Sequence, residues 1–534
     1  MEDYLPGVKY VVYLMLENRS LDSVLGWLYD DKNQPHNYNF IPKASASKPY
    51  DGLKPDTYWN HDKQGKVVYA SQIAASEGQH IPDVDPHEPY ANVQIQIADD
   101  QGNKMGGFLK DFQTTPTKNP NSIMQAYTPE SLPVINALAQ QFAVSDAYFS
   151  SVPSNTDANR AFALSGNSIG TYDKQADTAM VDTAVYYQLG IPPYPFTRRC
   201  LWDVLWEAGL RRTTDWSVFY HQTWPGPNIP IVHGSQCFTQ LMIDSLQKYD
   251  KMFFRQIDQF YRILNGAPNT QMPTFSYLEP CWNLDYNGKT YQNGNDYHPP
   301  GHLTCGEFFL ETLFNKLQAS RYWNETLLII TFDEHGGTYD HVEPPKNVMA
   351  PWTNPKDGTA PPANFAVPFD FTRLGVRVPL LLISPLIEEN TVIRSGTSVP
   401  FDHTSIIATI LNFFKIDSSK WQLGSRTACA PTFESVITRQ TPRSPVTLPQ
   451  AKPGCKPALV AIAEAAQALP DGEAQSLPAS IMARAIAKIA RDNNVPDSQL
   501  RELFKQHFAD IRTTSQLHEK ARAIIGSISP APGE

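Results

Sequence analysis

Short apolar runs along this chain end abruptly in titratable residues. The clearest lies in "TLLIITFDEHGGTYDHVEPP" at 326–345, where Leu327 to Phe332 lead straight into Asp333, Glu334 and His335. A continuous apolar run of this length predicts a strand covered on both faces, as in a parallel sheet. Residues 8–16, "VKYVVYLML", repeat the pattern and end in Glu17, Asn18 and Arg19. "WSVFYH" at 216–221 and "RVPLLLISPL" at 377–386 read as further strands. Helical patterns lie between them, around 129–141, 157–165, 201–210 and 305–320. "DHTSIIATILNFF" at 402–414 opens with an aspartate suited to capping a helix. Strands alternating with helices predict an α/β fold, and the helix before Leu327 fits a crossover into a parallel strand.

Other stretches depart from that alternation. Residues 30–105 are rich in Pro, Asp, Asn and Lys and read as long loops, and 343–368 carries seven prolines and reads as a surface excursion. After about residue 430 the composition changes: "TPRSPVTLPQAKPGCKP" reads as a proline-rich linker, and helical segments follow at 458–469, 479–493, 497–511 and 514–528. In the third of these, Leu500, Leu503, Phe504, Phe508 and Ile511 share one face. The predicted organisation is a main domain over 1–430, a linker over 431–455 and a helical region over 456–534. Nine basic and nine acidic residues balance in that last region. Balanced charge disfavours a lipid surface, and alanine-rich segments such as "ASIMARAIAKIA" suit helix–helix contacts, so a homo-oligomer is expected, with packing on the main domain as the alternative.

The whole chain has 534 residues and a net charge of −10, which argues against a nucleic-acid partner. It does not exclude phosphate substrates, because a bound cation can reverse the local field. No apolar run approaches the roughly 18 residues of a membrane-spanning helix. The start, "MEDYLPGVKYVVYLMLENRS", is acidic and has no signal-peptide cleavage pattern. Six cysteines, at 200, 237, 281, 305, 429 and 455, form no CxxC. Cys429 and Cys455 bracket a loop and are the favoured disulfide pair, with free buried thiols equally open.

The strand-end carboxylates carry the chemistry. In open α/β sheets the working groups sit just beyond the carboxyl ends of strands, and paired acids there repel unless a cation or donors offset them. Four segments share this character: "YLMLENRSLD", "FSSVPSNTDANRAFALSG", "NDYHPPGHLTCGE" and "ITFDEHGGTYDHV". With "DPHEPYANVQIQI" at 85–97, "MGGFLKDF" at 105–112 and "FDHTSII" at 401–407, they resemble the bacterial phospholipase C and acid phosphatase family of phosphoesterases. The motifs recur in order over most of residues 8–415.

The resemblance implies an alkaline-phosphatase-like α/β core with a mostly parallel sheet between helices and one or more divalent metal ions, zinc or calcium. It implies that Glu17, Asn18, Thr156, Asp333 and Glu334 surround the metal and that Thr156 is the nucleophile. His87, His221 and His298 would contact the phosphate or protonate the leaving group, His221 on the support of "YH" alone. The substrate would be a phospholipid, met at a membrane surface, or a soluble phosphate ester. The protein would be exported from the cytoplasm without a visible signal peptide. Simpler readings stand beside these. A threonine before a helix is ordinarily an N-cap; Asn18 is a common turn residue; Asp340 and His341 suit a structural role at the glycine turn; His302 and His403 suit supporting roles; Arg160 suits either a core brace or a phosphate contact. Two departures from the family pattern are present. Ser23 stands where the family has histidine after ENRS, and "NTDANR" lacks both prolines of the family's PTxPNR. The expected activity is therefore a phospholipase C using a phosphothreonine intermediate, against a broad acid phosphatase or a catalytically weak phosphoesterase-fold protein.

Overall fold

The computed structural model describes residues 4–29, 38–73, 81–170, 177–181, 196–221, 237–281, 284–286, 289–291 and 294–452. Nine strands form its central sheet: β1 (Tyr10–Leu16), β2 (Asn39–Ile41), β3 (Ala143–Ser145), β4 (Trp216–Tyr220), β5 (Phe254–Gln256), β6 (Phe275–Glu279), β7 (Thr326–Phe332), β8 (Leu380–Ile383) and β9 (Thr391–Ile393). Their spatial order is β5-β4-β6-β1-β7-β8-β3-β9-β2. All residues of β7 and all but Tyr10 of β1 are buried, as their unbroken apolar runs require. The two pair in parallel from Tyr10 opposite Thr326 to Leu16 opposite Phe332. That register sets Glu17 beside Asp333 where both strands end.

The sheet is parallel except at β8, which pairs antiparallel with β7 and with β3. The apolar run at 377–386 is thus a strand, but it runs opposite to its neighbours. The proline-rich excursion that follows β7 has no crossover helix to carry the chain back across the sheet. The next strand therefore starts at the carboxyl edge and returns from there. Between β6 and β7 the helix Thr304–Ala319 makes the expected crossover, passing over β1.

Other expected helices form at Pro133–Gln141, Thr156–Ser165, Leu201–Glu207 and His403–Phe413. Asp402 caps the last of these, accepting from Thr404 N at 3.1 Å. The stretch 30–105 is less irregular than its composition suggests, because Tyr90–Gln96 is helical.

Two expectations about the end of the chain change. Residues up to 452 lie along the body instead of hanging as a linker: Val446 N donates to Gln318 Oε1 at 2.8 Å and Ala451 N to Glu311 Oε2 at 3.0 Å. Cys429 is an exposed free thiol, so its pairing with Cys455 is not made. The disulfide-bonded cysteine is Cys305, in the crossover helix, and its partner lies outside the described residues. The helical segments expected over 456–534 also lie outside them. Among the described residues, no helix is long and apolar enough to cross a membrane.

Candidate active site

Adjacent ends of β1 and β7 build the floor of the site. Asp333 N donates to Leu16 O at 3.2 Å, which continues the ladder one residue past the strands. The backbone then turns sharply. Asn18 adopts φ +54°, and Gly336 adopts φ +59° with its α-carbon so close to Asn18 that any side chain would strike the Asn18 carbonyl. Asp333 Oδ1 accepts from Asn18 N at 3.0 Å and Glu334 N at 2.7 Å, so one carboxylate oxygen fixes both turns. His403 binds the Asp333 carbonyl from below at 2.6 Å and Tyr148 OH at 2.8 Å.

The helix Thr156–Ser165 points its N-terminus at this floor. Thr156 is its first residue, and Asn155 takes the cap position. Thr156 Oγ1 donates toward Glu17 Oε2 at 3.4 Å and Asn18 Oδ1 at 3.3 Å. One turn later Arg160 is wholly buried. Its Nε lies 2.7 Å from Glu17 Oε1 and 3.3 Å from Asp333 Oδ2. Its Nη2 reaches the Leu16 carbonyl at 3.2 Å. Arg160 therefore braces the two strand-end acids and does not project toward the open side.

His298 closes the opposite wall. Its Nδ1 lies 3.5 Å from Glu17 Oε2, and its Nε2 lies 3.2 Å from Asp85 Oδ1 and 3.5 Å from Glu88 Oε1. Burial opposes a charge on this ring, but Asp85, Glu17 and Glu88 more than offset it and hold its pKa well above the usual imidazole range. The acids respond in the opposite sense. Burial, with Glu17 beside it, pushes Asp333 up to about 7. Burial and the neighbouring Asp85 raise Glu88 well above the carboxylate range; burial, Glu88 and Asp333 do the same to Glu334. Glu334 Oε1 is buried without a hydrogen-bond partner. Crowded acids with an unpartnered oxygen are the donor set that a divalent cation satisfies.

A model of the family described as "Phosphoesterase family" matches residues 8–417. The chain belongs to the phosphoesterase family. The similar proteins include non-specific phospholipase C6 of Arabidopsis thaliana, 31% identical over 463 residues, which are 84% of this chain and 76% of that one. Non-hemolytic phospholipase C of Burkholderia pseudomallei is 25% identical over 437 residues, 76% of this chain and 54% of that one. Among solved structures, a protein in the alkaline phosphatase superfamily from Vibrio parahaemolyticus matches 55% of this chain and 62% of its own at 14% identity, with a TM-score of 0.29.

Within this phosphoesterase the expected residues do not all meet. Glu17, Asn18, Thr156, Asp333, Glu334 and His298 converge. His87 is half-exposed, and its ring lies against Asp111 at 3.4 Å and Thr114 at 3.4 Å. Its sequence neighbours Asp85 and Glu88 are the groups that reach the site. These two acids were missed in the sequence, although "DPHEP" sets them on either side of the histidine that attracted notice. His221, beyond β4, lies 3.4 Å from Asn295 Nδ2 and packs edge-on against Phe309, and burial lowers its pKa to about 4.

A second polar cluster sits behind the glycine turn of the phosphoesterase. Arg377 donates to Asp340 Oδ1 at 2.9 Å and Asp22 Oδ1 at 3.0 Å, and His341 Nδ1 lies 2.7 Å from Asp22 Oδ2. Burial opposes charging of His341, yet Asp22 and Asp51 raise its pKa to about 9. The guanidinium fills the centre of this group, so Asp340 and His341 are structural. Ser23, where the family has histidine, is buried in the short helix Leu21–Leu25 and donates from its backbone to Ser20 Oγ at 3.1 Å.

Proposed function

We propose that the protein hydrolyses glycerophospholipids as a phospholipase C, releasing diacylglycerol and a phosphorylated headgroup. The observation that carries this is the placement of Thr156 Oγ1 at a helix N-terminus, within hydrogen-bonding reach of Glu17 and Asn18. Relatives named as phospholipases C, at 31% identity over 84% of the chain for one of them, support the lipid substrate.

Glu17, Asn18, Thr156, Asp333 and Glu334 would hold a divalent metal ion. Such an ion lowers the pKa of a coordinated hydroxyl and neutralises phosphate charge. The chain does the rest. Thr156 Oγ1 attacks phosphorus, and Glu17 Oε2 is the carboxylate placed to receive its proton. The glycerol oxygen leaves as diacylglycerol and takes its proton from the His298 imidazolium, whose charge Asp85, Glu17 and Glu88 sustain. The headgroup phosphate stays on Thr156 until water cleaves that ester and restores the hydroxyl. The backbone N–H groups of the first turn of Thr156–Ser165 favour an anion at its N-terminus. Arg160 holds Glu17, which faces the threonine, and Asp333 beside it. His298 is assigned to the phosphate side of the site. His87 and His221 are given no step in this reading; their rings contact Asp111 and Thr114, and Asn295 and Phe309.

Phosphatidylcholine vesicles and p-nitrophenyl phosphate, assayed side by side, test the substrate class. Diacylglycerol release from the vesicles at a kcat/KM well above that for the monoester is expected. Turnover of the monoester alone would favour an acid phosphatase.

A further inference from the structure

His298 reaches Glu17 from an unusual stretch of backbone. Tyr297, the residue before it, adopts φ +75°. A bulky side chain disfavours that left-handed region, so the conformation persists only where the surroundings fix it from several sides. Four contacts do so here. Arg19 Nε donates to the Tyr297 carbonyl at 2.8 Å. The tyrosine ring packs edge-on against Phe332, with centroids 5.4 Å apart. It also lies against Gly306, where a β-carbon would collide with the ring. Its hydroxyl donates to Glu307 Oε1 at 2.8 Å.

Glu307 is a fixed anchor for that hydroxyl. It is buried in the crossover helix, where its Oε2 accepts from Val134 N at 2.6 Å and its Oε1 from Ile135 N at 3.0 Å. Those N–H groups belong to the first turn of the helix Pro133–Gln141, so one carboxylate joins two helices and the tyrosine. The other contacts of Tyr297 lead to the floor of the site: Phe332 precedes Asp333, and Arg19 follows Asn18. Both neighbours of Tyr297 meet Glu17. The Asp296 carbonyl accepts from Glu17 N at 2.7 Å, and His298 Nδ1 lies 3.5 Å from Glu17 Oε2.

We propose that Tyr297, anchored by Glu307, is a positioning residue for the transfer step: its hydroxyl holds the left-handed turn that presents His298 to the leaving oxygen. The proposal rests on the reading of His298 as the leaving-group acid and goes beyond it by naming what aims the ring. Without the hydroxyl the tyrosine ring keeps its packing, but the backbone is freer to relax toward the ordinary region and to carry His298 with it. A small misplacement of a reacting group is costly to the rate.

A leaving group that needs no proton separates this role from general damage to the fold. The glycerol oxygen must be protonated as it departs, whereas p-nitrophenolate is stable as the anion, so acid catalysis matters far less to it. The test compares kcat/KM for a short-chain, monomeric phosphatidylcholine with kcat/KM for p-nitrophenyl phosphorylcholine, using the full chain. Tyr297→Phe is expected to lower the ratio of the first to the second roughly tenfold. Glu307→Gln, which removes the anchoring carboxylate at nearly the same size, is expected to shift the ratio in the same direction. His298→Gln should lower it further. An unchanged ratio in Tyr297→Phe and Glu307→Gln, with a lowered one in His298→Gln, would overturn the positioning role and leave His298 as the acid. An unchanged ratio in His298→Gln would overturn the acid assignment and the proposal with it.

Discussion

Arg160 Nε donates to Glu17 Oε1 at 2.7 Å, and both side chains are buried. The same guanidinium touches Asp333 Oδ2 at 3.3 Å. It therefore holds the two strand-end acids from the side away from the open site, one helical turn from Thr156. Arg160→Met leaves those carboxylates without their cation and is expected to cost about 3–5 kcal/mol, read by denaturant unfolding. Arg160→Lys keeps the charge but loses the planar fork. It is expected to keep more of the stability while lowering kcat by about tenfold or more with KM little changed. Wild-type stability in the methionine variant would contradict the brace.

Asp333 organises the turn as well as contributing an acid, since its Oδ1 accepts from both Asn18 N and Glu334 N. Asp333→Ala is expected to lose metal from the Glu17 site and to lower thermal stability. Elemental analysis showing an undiminished metal content would count against that site.

The pH dependence of stability should carry the mark of His341. Its pKa is raised to about 9 in the folded protein by Asp22 and Asp51, against about 6.5 unfolded. A raised pKa stabilises the fold fully below the unfolded value, and that stabilisation is lost as pH climbs through the folded one. The full term is on the order of 3 kcal/mol. Wild-type Tm is therefore expected to fall between about pH 6.5 and 9, and His341→Gln to fall less over the same window. Equal slopes in the two proteins would remove His341 from this account.

The region beyond residue 452, where the sequence predicts amphipathic helices, is proposed to mediate self-association. Because residues 446–452 bind the crossover helix through Gln318 and Glu311, and the disulfide of Cys305 must be kept, a truncation should retain Cys455 and end after Pro457. The truncated chain is expected to fold with a near-native Tm and to have a smaller subunit number by light scattering. A full-length protein that is monomeric across the micromolar range would exclude the oligomer.

Much of the site was legible because strand ends announce themselves. Apolar runs that stop at Glu17 and at Asp333 give two elements and their chemistry together, and the parallel pairing then brings them side by side. Asp85 and Glu88 were harder to find because no strand leads to them. Their contribution depends on a loop folding over His298, and the histidine between them drew the attention instead. The reversed direction of β8 was equally hidden, because an apolar strand reads the same whichever way its neighbours run. Arg160 was visible as a residue, but only the tertiary structure shows that it faces the acids and not the phosphate side.

The most direct measurement of the account is the covalent state of Thr156 during turnover. Quenching the enzyme with phosphatidylcholine in excess and digesting it for mass spectrometry is expected to show a phosphocholine increment on Thr156. With a monoester substrate the increment should be a bare phosphate. Thr156→Val, nearly isosteric, is expected to show neither, to lose turnover by about a thousandfold or more, and to lose no more than about 1 kcal/mol of stability. Turnover near wild type in Thr156→Val, with no modified residue trapped in the native enzyme, would contradict the mechanism.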